Sequence, residues 1–147
     1  ESVYGQSSVS AIGVAAHECG HAIQDNVGYA PLRLRAAFVP VANLGSTLSW
    51  PLILLGLVIG LTPFIQVGIW MFVLALMFQV ITLPVEFNAS GRAVRLLGQI
   101  GILQGQEVDY TKKVLGAAAL TYVAAVAASV LQLLRLLILF GGRRSND

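Results

Sequence analysis

Apolar residues run without interruption through the middle of the chain, and from residue 36 to residue 85 there is no Asp, Glu, Lys, Arg or His. An ionisable side chain in hydrocarbon costs several kcal/mol, so charge-free runs mark membrane crossings. A helix rises about 1.5 Å per residue and the hydrocarbon core is about 30 Å thick, so about 20 residues cross once. The run is long enough to cross twice and reads as a helical hairpin, with spans at 39–61 and 64–83 joined at Thr62-Pro63. The second span carries Trp70, Met71, Phe72 and Phe78; the first is softened by Asn43, Ser46, Thr47 and Ser49 and interrupted by Pro51, the signature of a kink or an interfacial first half. A third span at 114–140 is free of charge as far as Leu134 and continues past Arg135, which reads as a side chain snorkelling to the interface near Arg143 and Arg144. Its first half is rich in alanine, suited to close helix packing, and its second in Leu and Ile, suited to lipid.

Two polar segments flank the hairpin. Residues 1–35 hold a helix at about 8–24, with Ser7 or Ser8 as N-cap and Asn26 and Gly28 as stop signals. Residues 84–113 predict a second polar helix at about 84–97, with Pro84 in its opening turn, followed by a glycine-containing loop. A hairpin with both ends on one side makes these segments neighbours at the membrane face. Arg33, Arg35, Arg92, Arg95, Lys112 and Lys113 lie on that side, against Arg143 and Arg144 beyond the third span, and the positive-inside rule then puts the polar segments in the cytoplasm. Gly56 and Gly60 have GxxxG spacing, read first as packing within the chain and second as a route to a homo-oligomer. The fold expected is all-α and multi-pass, one domain over residues 1–147 in a lipid bilayer.

Composition agrees. The chain is 56% hydrophobic and 11% charged with a mean hydropathy of +0.79, where soluble domains carry roughly 25% charged residues. Sixteen charges, nine basic and seven acidic, are too few to cover a soluble globule. The net charge of +2 comes without a Lys/Arg block or interleaved aromatics, so no nucleic-acid partner is expected. Cys19 is the single cysteine, which excludes an internal disulfide. An opening at Glu1 instead of Met suggests a fragment or processed form.

The chemistry is concentrated in the first helix, where Ala15-Ala16-His17-Glu18-Cys19-Gly20-His21-Ala22-Ile23 contains an HEXXH motif. Residues four apart sit one turn above each other, with Cβ atoms about 5–6 Å apart, so two imidazoles can converge on one ion at about 2.0–2.1 Å. Glu18 points beside such an ion and is placed to act as general base. Zn2+ accepts imidazole and carboxylate ligands, brings the pKa of bound water to about 7 and polarises a carbonyl, which is the chemistry of amide hydrolysis. The plain alternative, two histidines facing solvent, is disfavoured because these are the only two in the chain.

The remaining ligand must then be an acid or the thiol. Cys19 lies on nearly the opposite helix face from the histidines; Asp25 lies on their face but is one turn away and short; Glu107 and Asp109 read as turn and cap residues in a loop. Glu86 is the best candidate, because it ends the charge-free run where the hairpin returns the chain to the membrane face of His17. Its alternative is a first-turn charge favoured by the helix dipole.

Three blocks then carry a resemblance: residues 11–24 with the HEXXH motif, Leu83-Pro84-Val85-Glu86-Phe87-Asn88-Ala89-Ser90 with Arg92-Ala93, and Ala117-Ala118-Ala119-Leu120-Thr121-Tyr122-Val123-Ala124-Ala125. In this order they resemble the YugP-like family of neutral zinc metallopeptidases of bacterial membranes, itself similar to the HtpX and CAAX-prenyl-protease type enzymes. Those are gluzincins whose third zinc ligand is the glutamate of an ExxA motif. The resemblance implies zinc ligands at His17, His21 and Glu86, a general base at Glu18, Ala89 as the motif alanine, and an inner-membrane location. The relatives usually carry an aspartate that orients the first histidine at the position of Ser90, and the family carries aspartate at the position of Asn88.

The function expected is a zinc-dependent membrane peptidase acting on membrane-associated or unfolded polypeptide, with Tyr122, Asn88 and Arg92 as candidates to stabilise the oxyanion. An intramembrane protease is disfavoured because no later Asp-Gly motif supplies an aspartate ligand. The rival from another class is a zinc-binding membrane scaffold or assembly factor that has lost turnover.

Overall fold

The computed structural model describes residues 8–141, which form four helices and no strand: α1 (Val9–Asn26), α2 (Ala30–Ile59), α3 (Thr62–Gln99) and α4 (Gln106–Gly141). The fold is all-α, and α2, α3 and α4 are long and apolar enough to cross a membrane. Ser8 caps α1, its side chain accepting from the Ala11 backbone N–H at 3.2 Å. Ser7, Arg143 and Arg144 lie outside the described residues.

Both early turns follow from a glycine. Gly28 has φ +67°, and the Tyr29 N–H donates to the Gln24 carbonyl at 2.9 Å while the Gly28 N–H donates to Asp25, closing α1 before Pro31 enters the first turn of α2. Gly60, φ +72°, ends α2 in the same way, with the Leu61 N–H donating to the Gly56 carbonyl at 2.9 Å, and Pro63 opens α3.

The helices are longer than the pattern predicted. The expected span at 39–61 begins at Ala30, and neither Pro40 nor Pro51 breaks it. The span at 64–83 and the polar helix at 84–97, expected as two elements, are one helix. Pro84 is an interior residue, not the opening of a new helix. It sits on the exposed face and forfeits one backbone bond, whereas Val85, Ala89, Ala93 and Leu97, at four-residue spacing, are at most 3% exposed. That continuous packed stripe holds the helix through the proline. Glu107 and Asp109 likewise lie in the first turn of α4 instead of a loop, and the Gln104 N–H donates to Glu107 Oε2 at 3.3 Å.

The chain divides into two compact units. The first comprises α1, the start of α2 to Leu34, α3 from Thr82 and α4 to Val123. Its core is Ala16, Ala93, Leu97, Leu103 and Leu115, and small residues let its backbones approach: a Cβ on Gly20 would overlap the Ala89 carbonyl oxygen, and one on Gly13 would lie 3.0 Å from Thr111 Cγ2.

The second unit comprises Arg35–Ile81 and the chain from Ala124. On α2 the buried residues are Ala42, Gly45, Ser49, Ile53 and Gly56, one face of the helix, while Val58, Trp70, Leu131 and Ile138 are at least 68% exposed. Large apolar groups turned outward, over a packed face that is mostly small residues, is the order expected where the surroundings are hydrocarbon. A Cβ on Gly45 would lie 2.6 Å from the Met71 carbonyl oxygen, and one on Gly68 2.8 Å from that of Ser49, so α2 and α3 pack backbone to backbone. The GxxxG reading is corrected in part. Gly56 is consumed by Ile65 within the chain, but Gly60 is the turn residue and would meet nothing within 4 Å.

Candidate metal centre

The close approach of α1 and α3 at Gly20 and Ala89 sets the register of everything polar between them. His17, one turn before Gly20, and His21, next to it, come against Glu86, one turn before Ala89 on α3. His17 Nε2 lies 3.0 Å from Glu86 Oε2 and His21 Nε2 lies 3.6 Å from Glu86 Oε1. One ligand atom from each of the three lies within 4.8 Å of the others, the single such group of histidine, cysteine and acid side chains among the described residues. The two rings meet edge to face, with centroids 4.7 Å apart.

The outward nitrogens are also held. Ser90 Oγ lies 3.0 Å from His17 Nδ1, and Gln24 Oε1 lies 3.0 Å from His21 Nδ1. Gln24 is fully buried and its orientation is determined: Nε2 donates to the Val85 carbonyl at 2.8 Å and to Asn88 Oδ1 at 3.1 Å, which leaves Oε1 to accept from His21. His21 therefore donates from Nδ1 and turns Nε2 toward Glu86. Such partners on the far nitrogen are what metal-binding histidines have.

Sequence reasoning missed Gln24. It falls three residues after His21, on the same helix face, and a polar side chain there, inside an otherwise apolar stripe, was the available signal. Asp25, its neighbour, is exposed and stands outside the cluster, as do Cys19, Glu107 and Asp109. Glu18 is exposed and also outside the three-residue set. Asn88 and Arg92 are turned toward each other, Arg92 Nε donating to Asn88 Oδ1 at 2.7 Å with the guanidinium 5.7 Å from the Tyr29 ring centroid. They brace Gln24. Tyr122, by contrast, lines a cavity of about 160 Å³ together with His17, Glu86 and Ser90.

A divalent cation fits these residues. Glu86 is only 3% exposed, and a buried carboxylate is costly unless a cation or donors compensate it. Two imidazole nitrogens and one carboxylate are a ligand set of catalytic zinc, which keeps a further position for water or substrate.

Comparison with known proteins points the same way. The model of the family described as "Putative neutral zinc metallopeptidase" matches residues 1–141. The chain is 46% identical, over 147 residues and 99% of its length, to the "Putative membrane protease YugP" of Bacillus subtilis strain 168, and it spans 65% of that relative's length. No solved structure matches it.

Proposed function

The chain belongs to this family, and from that premise we propose that it is a zinc-dependent membrane peptidase with zinc held by His17, His21 and Glu86. The observation that carries the reading is the convergence of three ligand atoms within 4.8 Å, with both outward imidazole nitrogens engaged. Bound there, zinc supplies Lewis acidity toward a scissile carbonyl and an activated water. Glu18, next to His17 on the exposed side of α1, takes the proton from the attacking water and passes it to the leaving amine. Tyr122, which lines the cavity beside Glu86, donates to the developing oxyanion in this reading.

The substrate is membrane-associated or unfolded polypeptide, and residues 1–147 act as one domain, with the site on the first unit and the lipid anchor on the second. Ser90 does reach His17 Nδ1, so the replacement of an acid at that position is no argument for a scaffold without turnover.

Glu18→Gln should keep a full complement of zinc by metal analysis and lose about 10²–10⁴-fold in hydrolysis of an unfolded protein, the contribution of a positioned base. Unchanged activity in that variant removes the assigned base. The cytoplasmic, inner-membrane orientation is tested through Cys19, which is exposed: a membrane-impermeant thiol reagent should label it in broken cells and leave it unlabelled in intact ones.

A further inference from the structure

The cavity beside the metal ligands is larger than an ion and its water require. It measures about 160 Å³, whereas one water takes roughly 30 Å³. His17, Glu86 and Ser90 line one part of it, while Val14 from α1 and Leu115, Ala118 and Ala119 from α4 supply an apolar wall, with Tyr122 adding a ring. The volume is that of one branched or single-ring side chain, and well short of a lipid acyl chain. Its size depends on two small residues, because any larger side chain at 118 or 119 would occupy the space.

We propose that this cavity is the subsite for one medium-sized apolar side chain, leucine or phenylalanine in size, of the polypeptide held at the metal centre, with Val14, Ala118 and Ala119 setting the limit. The inference rests on the metallopeptidase reading and names the residue class that reading leaves open. A metal ligand at one end and an apolar wall at the other select an amide flanked by a greasy residue, with the amide at the ligands and the side chain out of water.

The test uses the full chain in detergent, zinc-loaded and carrying Glu18→Gln so that nothing is hydrolysed. The probes are L-leucine hydroxamate and glycine hydroxamate, which share the chelating group and differ in the side chain, with binding measured by calorimetry. Leucine hydroxamate is expected to bind at least about tenfold tighter. Ala118→Phe, made at an exposed position and so compatible with folding, should bring the two affinities within about twofold at unchanged zinc content. Val14→Ala should extend the preference to tryptophan hydroxamate. Equal affinities before substitution, or a leucine preference that survives Ala118→Phe, overturns the subsite. Mapping cut sites in unfolded casein with Glu18 restored separates the two readings. No cleavage with the preference intact removes the peptidase and leaves the subsite; cleavage without Leu or Phe beside the cut bond removes the subsite and leaves the peptidase.

Discussion

The two units of this chain use one packing device for opposite ends. In the second unit Gly45 and Gly68 let α2 and α3 touch backbone to backbone, and what lies outside is large and apolar. In hydrocarbon no hydrophobic force drives helices together, so close van der Waals contact is most of what holds such a pair. In the first unit Gly20 and Ala89 bring α1 and α3 equally close, but the side chains beside that contact are His17, His21, Gln24, Glu86 and Ser90. There the short distance makes polar contacts reachable: serine, with a single-carbon side chain, spans from α3 to His17 Nδ1 at 3.0 Å. Glycine at the second variable position of the HEXXH motif is thus a demand of geometry on the site and, at Gly45 or Gly68, a demand of packing alone.

The variant that should break the comparison most completely is Glu86→Ala. It removes the sole carboxylate of the ligand set, and zinc measured after dialysis is expected to fall to background, where the second unit has nothing equivalent to lose. Next comes the paired substitution of the two glycines. Gly20→Ala must push α1 off the Ala89 carbonyl, an overpacking cost of about 1–3 kcal/mol, and zinc affinity should fall with it. Gly45→Ala meets the Met71 carbonyl in the same way, yet should lower the thermal midpoint while the purified protein keeps its zinc. Loss of zinc in both variants would mean that the units are not separable in this sense.

A smaller effect is expected from the outer hydrogen bonds. Gln24→Leu should weaken zinc binding by about 10–100-fold in a chelator competition, because the amide that orients His21 goes and the Val85 carbonyl and Asn88 lose its donors. Ser90→Ala should cost less, since it removes a single bond, to His17 Nδ1, where Gln24→Leu removes three. If Ser90→Ala proved the more damaging, His17 and not His21 would be the residue that depends on its outer partner.

Much of the site was legible one residue at a time. Two histidines at helical spacing with a glutamate between them define a candidate metal-binding face wherever the helix lies, and Gly28 and Thr62-Pro63 mark the turns because φ above zero and a missing N–H act locally. Glu86 could be singled out because a charge at the edge of a long apolar run is expensive to place anywhere but at a site or an interface. Pro84 misled for the complementary reason. Locally it predicts a helix start, and only the buried stripe of Val85, Ala89, Ala93 and Leu97 shows why the helix runs through it. Gly60 misled as half of a packing motif when it is a turn.

By itself, then, the chain's order of residues determined that there are long apolar helices, where two of them end, and which histidines face the same way, since each depends on neighbours within a turn or on composition over a span. Tertiary structure alone decided that Gln24 is buried with one possible orientation, that a side chain as short as Ser90 reaches His17 Nδ1, and that a cavity opens beside Glu86. Those are contacts between residues more than sixty positions apart, or consequences of them, and their distances follow from how closely two backbones approach, a quantity that no local pattern encodes.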